Sequence, residues 1–131
     1  MTYRWVEHTA ELEMEIEAPT EEGVFVDALH ALAELLDHGR RADRVSREVS
    51  VNASERALLL AEWLDELVYL AETEGLVPEH VQRIVLSDEG VAATVQCRRR
   101  DPRHVVKGAT YHRLAFPRAE GGFRATVVLD V

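Results

Sequence analysis

The chain has 131 residues, 47% hydrophobic and 30% charged, and carries a net charge of −9. That size and mixture suit one soluble globular domain over residues 1–131, and the acidic surplus argues against broad nucleic-acid binding, because a phosphate backbone repels such a field. The single cysteine, Cys97, excludes an internal disulfide or a cysteine-rich zinc site, and its place in a strand pattern makes it a small buried residue.

No apolar run approaches the roughly 20 residues needed to span a bilayer, so no membrane partner is expected. The opening Met1-Thr2-Tyr3-Arg4-Trp5 lacks the apolar core of a signal peptide, and a cytoplasmic location follows as the expectation.

Glu7-His8-Thr9-Ala10-Glu11 reads as a turn between two strand-like segments. From Glu11 to Ala18 the chain alternates, with Leu12, Met14, Ile16 and Ala18 on one side and four glutamates on the other. A period of two predicts a strand with one wet face. Thr20 then caps a helix to about Asp37, whose first turn holds Glu21 and Glu22.

The polar stretch from His38 to Arg47 reads as the longest loop, and Val49 with Val51 as a short strand. Ser54 is the expected cap of a second helix reaching Glu74, with Gly75 as its C′ residue. Val81–Leu86 and Val91–Cys97 read as a hairpin turning at Asp88-Glu89-Gly90. Tyr111–Phe116 and Phe123–Val131 form another around Glu120-Gly121-Gly122. The order lacks regular βαβ alternation. It predicts an α+β two-layer sandwich, a mainly antiparallel sheet with two helices packed on one face.

Charge is unevenly distributed. Residues 1–75 hold 18 acids and 6 bases, a net −12, whereas residues 76–131 hold 6 acids and 9 bases, a net +3. Arg98, Arg99, Arg100, Arg103 and Lys107 form the basic part, which reads as a solvated loop or a local phosphate contact. Lys107 is the only lysine among 14 arginines. An ammonium is a compact point charge, and a guanidinium is a planar fork that is always charged, so one retained lysine suggests a task that arginine does not fill.

Polar groups gather in three places: Glu7 to Glu11, Lys107 to His112, and the end Leu129-Asp130-Val131. An ordered strand ending in Asp-Val sets the Asp130 side chain beside the α-carboxylate of Val131. Two like charges held together need a countercharge, and Ca²⁺ or Mg²⁺ favours such oxygens. Glu7 or Glu11 would add a carboxylate and His8 a nitrogen. His112 alternates with Tyr111, so one of the two at most faces the core. The G-x-S-x-G, P-loop, G-x-G-x-x-G and H-E-x-x-H signatures are absent, and no catalytic residue is assigned.

Together these segments resemble archease, the small protein partner of the GTP-dependent (RtcB-type) RNA ligase. Glu7-His8-Thr9-Ala10-Glu11 is similar to the family's His-Thr-Ala-Asp motif, and Glu62 to Leu70 with Glu72 to Leu76 to its second helix and following turn. Lys107-Gly108-Ala109-Thr110-Tyr111-His112 resembles its lysine-containing Thr-Tyr-His strand, and Val127 to Val131 its terminal Val-hydrophobic-Asp-Val.

The resemblance implies an accessory protein, not an enzyme, that speeds ligase guanylylation and permits multiple turnover in tRNA splicing and RNA repair. RNA would be met only through the ligase. It implies a divalent metal, Ca²⁺ first with Mg²⁺ or Mn²⁺ as alternatives, on Glu11, Asp130 and Val131. Lys107, His8, His112 and Glu7 would meet the partner or a phosphate. Glu11 stands where the family usually has Asp, which lengthens the ligand by one methylene. Two competing readings are an RNA-binding or chaperone-like module using Arg98–Arg103, and a metal-dependent phosphoesterase using the same carboxylates.

Overall fold

The computed structural model describes residues 2–8, 11–36, 43–99 and 106–131, with His8 described by its backbone alone. Alternation at the start of the chain produces β2 (Glu11–Ala18), in which Met14 and Ile16 are fully buried. β1 (Thr2–His8) pairs with it antiparallel.

Thr20 caps α1 (Glu21–Leu36) as expected: its Oγ1 accepts the Gly23 N–H at 3.0 Å. The cap of α2 (Arg56–Glu74) differs. Its N-cap position is Glu55, extended at φ −125 and ψ 147, whose side chain makes no capping bond. The helix starts one residue later than a Ser54 cap requires. Gly75 closes it in the left-handed region at φ 66, and its N–H donates to the Leu70 carbonyl.

The remaining strands are β3 (Arg44–Asn52), β4 (Leu76–Leu86), β5 (Gly90–Arg99), β6 (Gly108–Ala115), β7 (Arg118–Ala119) and β8 (Gly122–Asp130). β3 takes in Arg44 to Arg47, which the sequence placed in a loop, and β4 starts five residues before the expected Val81. All pairings are antiparallel.

One sheet runs β1-β2-β8-β6, with β7 also on β8, and the other runs β3-β5-β4. The α+β class, the antiparallel pairing and the two helices are as expected. The strands, however, are shared between two sheets, and each helix packs against strands of both. Trp63 of α2 meets Phe25 of α1 edge-on at 6.1 Å and donates its indole N–H to the Phe25 carbonyl at 3.0 Å, so this large ring is buried without an orphaned donor. Among the described residues no helix is long and apolar enough to cross a membrane.

Candidate functional site

β8 lies between β2 and β6, so the two ends of the chain share one sheet. The register sets His8 opposite Glu11, Glu11 opposite Asp130, and Asp130 opposite Gly108. These four positions form one row across four strands. Directly opposed residues on antiparallel strands share a face, with Cβ atoms about 5 Å apart. The Lys107 N–H donates to the Asp130 carbonyl at 2.8 Å, which ties the lysine segment to the same row. The strand stays ordered to its end, and half-buried Val131 packs against the core. Glu7 is exposed and pairs with Leu12, one step off the row.

The four glutamates on the wet face of β2 have different surroundings. Glu13 pairs with Arg113 at 2.9 Å, Glu15 with Arg4 at 2.7 Å and Glu17 with Arg124 at 2.9 Å. Glu11 has no such arginine among the described residues and faces Asp130 instead. Like charges opposed across strands destabilise a sheet. The other three glutamates answer this with a guanidinium, and Glu11 has none among the described residues.

The expected donors are all hard oxygens: the carboxylates of Glu11 and Asp130, and the α-carboxylate of Val131. Such a set suits Ca²⁺, whose flexible coordination tolerates the longer glutamate, and fits Mg²⁺ or Mn²⁺ by type. Among the described residues no three His, Cys, Asp or Glu side chains converge. The expected set holds only two such side chains, with the main-chain carboxylate as third donor.

Lys107 is exposed and makes no ion pair among the described residues. Its groove, about 450 Å³, is lined by Asp65, Val68, Tyr69, Glu72 and Thr73 of α2, with Val106 to Ala109 opposite. Glu11 and Asp130 do not line it. Asp65 Oδ1 accepts the Ala109 N–H at 2.7 Å, and Glu72 Oε1 accepts the Val106 N–H at 3.3 Å. Burial raises the Asp65 carboxyl above the usual carboxylate range, against the opposing pull of the Ala109 N–H. Sequence reasoning missed both acids as site residues. Asp65 and Glu72 are spaced by two helical turns, the only signal available.

Alternation allows at most one of His112 and Tyr111 to face the core, and both are exposed. β6 leaves its pairing with β8 between Thr110 and Ala115, and Arg113 there adopts φ 54, uncommon for a residue with a Cβ. The His112 N–H donates to Thr110 Oγ1 at 3.2 Å.

Of the basic stretch, Arg98 is held by Glu79, and residues 100–105, including Arg100 and Arg103, lie outside the described residues. The His8 side chain, Thr9 and Ala10 do too. Cys97 is fully buried, and burial pushes its thiol up to about 11, which makes it a packing residue.

The model of the Archease protein family matches residues 3–131. A protein archease of Methanosarcina mazei is 27% identical over 139 residues, covering 98% of this chain and 95% of the relative. That of Archaeoglobus fulgidus is 28% identical over 138 residues, covering both chains fully. Two solved structures share the fold. The solution structure of Methanobacterium thermoautotrophicum protein 1598 has a TM-score of 0.73 at 24% identity, covering 98% of each chain. A Thermotoga maritima crystal structure, described as an archease and possible chaperone, has a TM-score of 0.73 at 23% identity, covering 100% of this chain and 98% of that one.

Proposed function

Since the chain belongs to the archease family, we propose that it is an accessory protein of the RtcB-type RNA ligase, promoting ligase guanylylation and multiple turnover in tRNA splicing and RNA repair. The observation that carries this reading is the row that sets Glu11 against Asp130 without an arginine, next to the one lysine. Charges without an ion pair among the described residues are available to an external partner.

Glu11, Asp130 and the Val131 carboxylate would hold a divalent cation, which when bound supplies positive charge for a phosphoryl group in transfer. Lys107 offers an ammonium to a phosphate or to a ligase carboxylate, and its compact charge suits either. The Asp130 carbonyl fixes the lysine backbone, so both groups act from one rigid edge. Preorganised charge of this kind stabilises a transition state because no reorganisation is required when the reaction occurs. His112 and Glu7, both exposed, serve as contacts to the ligase surface.

The test measures ligase–GMP formation from GTP with purified ligase and this chain. Asp130→Ala and Lys107→Ala are each expected to lose about 10²-fold of the stimulation, the scale of removing one preorganised charge-stabilising group. Stimulation unchanged in both variants would remove the proposal. Salt-sensitive RNA binding by the chain alone would favour the RNA-binding module instead.

A further inference from the structure

Residues Val106 to Ala109 are fastened from two directions. The Val106 N–H goes to Glu72 and the Ala109 N–H to Asp65, both on α2, while the Lys107 N–H goes to the carbonyl of Asp130 on β8. β6 is the edge strand of its sheet, and Asp65 satisfies an edge donor that no strand takes.

Gly108 allows this approach. Its φ of 154 lies outside the range that side chains favour, and a Cβ there would stand 3.1 Å from Asp65 Oδ1. Carboxylates beside a lone lysine would ordinarily bind its ammonium. Here Asp65 and Glu72 are turned to backbone N–H groups, and Lys107 keeps no ion pair among the described residues. The bond from Asp65 is the shorter of the two, and Asp65 is half-buried where Glu72 is exposed.

We propose that Asp65 is a positioning residue for Lys107: by accepting the Ala109 N–H against Gly108, it fixes the backbone from which the lysine leaves the edge of the sheet. The inference rests on the proposed role of Lys107 for its functional meaning, but the placement itself is testable without any ligase. The part Asp65 supplies is an acceptor oxygen, not a charge. Its raised carboxyl agrees with this, since burial there disfavours the ionised form.

The single lysine makes the test direct. Reductive methylation with ¹³C-formaldehyde labels Lys107 and the α-amine only, so the lysine gives one resolved NMR resonance whose position and titration report its surroundings. Hydrogen exchange at the Ala109 amide reports the bond. Asp65→Ala is expected to speed that exchange at least tenfold and to shift the Lys107 resonance, while Asp65→Asn, which keeps the oxygen, leaves both as in the parent.

A role limited to packing α2 on β6 would lower the melting temperature without moving the lysine resonance. That outcome overturns the proposal, as does Asp65→Asn behaving like Asp65→Ala. If Asp65→Ala does not fold, Gly108→Ala displaces Asp65 Oδ1 by steric contact and is expected to give the same two changes; their absence overturns the proposal equally. In the guanylylation assay Asp65→Ala is expected to lose stimulation alongside Lys107→Ala. If Lys107→Ala is silent there, the ligase reading falls while the NMR result still decides the role of Asp65.

Discussion

Two stretches of one sheet face handle the same problem differently. Along β2, Glu13, Glu15 and Glu17 each meet an arginine from a different part of the chain. At the start of the same strand, Glu11 meets Asp130, and the lysine nearby has no ion pair among the described residues. Exposed ion pairs contribute only about 0.2–1 kcal/mol, so the arginines do not account for the fold. They neutralise a stripe of like charge. Glu11 and Asp130 face each other without such an arginine among the described residues, and under the proposed reading a cation takes its place.

The sharpest way to break this contrast is to complete the arginine series. Ca²⁺ at 100 times its dissociation constant is expected to stabilise the parent chain by about 2.7 kcal/mol, read as a rise in melting temperature. Glu11→Arg sets a guanidinium opposite Asp130 and is expected to abolish that rise while leaving the Ca²⁺-free protein at least as stable. A Ca²⁺ response that survives Glu11→Arg would show that the row is not where the ion sits.

Asp27 sharpens the comparison from inside the protein. It too is a carboxylate without an arginine or lysine partner among the described residues, but it is only 5% exposed and its Oδ2 has no hydrogen-bond partner among them. Burial raises its carboxyl above the usual range, opposed by the chain's amino terminus and by His30. A raised folded-state value means the protonated form is favoured by folding, so its ionisation costs stability as pH rises above the ordinary carboxylate range near about 4. Asp27→Asn is therefore expected to be more stable than the parent at neutral pH by about 1–2 kcal/mol, with the gain fading as pH falls toward about 4 and gone below it. Denaturant unfolding at pH 3 and pH 7 measures it. Glu11 and Asp130 are half-buried and would gain an ion under the proposed reading, whereas Asp27 is a plain cost.

The smallest effect belongs to the paired stretch. Arg4→Ala breaks a pair in which the arginine side chain is 74% exposed. It is expected to cost about 0.2–1 kcal/mol, less at high salt, and to leave ligase stimulation untouched. A loss of stimulation there would erase the distinction between the two stretches.

Much of this was legible where one physical signal dominates. The alternation of Glu11 to Ala18, the Thr20 cap and the Gly75 stop are local, and each survives in the fold. β3 was harder because it lies at an edge with most side chains exposed, so Arg44 to Arg47 have the composition of a loop. β4 hides its start behind Pro78, which reads as a breaker yet sits at a register shift on an edge strand, where the lost N–H is tolerated.

The division into two sheets depends on partner choice across long sequence distances, which periodicity does not encode. The same holds for the site. Glu11 and Asp130 were visible as acids, but their direct opposition is a property of register. Asp65 looked like any charge on an amphipathic helix, because its partner is a backbone N–H, and backbone carries no sequence signal.

The central strand of the larger sheet follows the strands it joins in chain order, since β8 spans Gly122–Asp130 and lies between β2 and β6. A nascent chain holds both flanking strands before the strand that must lie between them has left the ribosome. The smaller sheet and both helices are complete in sequence before β8 begins, whereas the row through Glu11, Asp130 and Gly108 needs β8 in place. Until β8 inserts, β2 and β6 lack the strand that joins them, and such contacts between distant parts of a chain are slow to form.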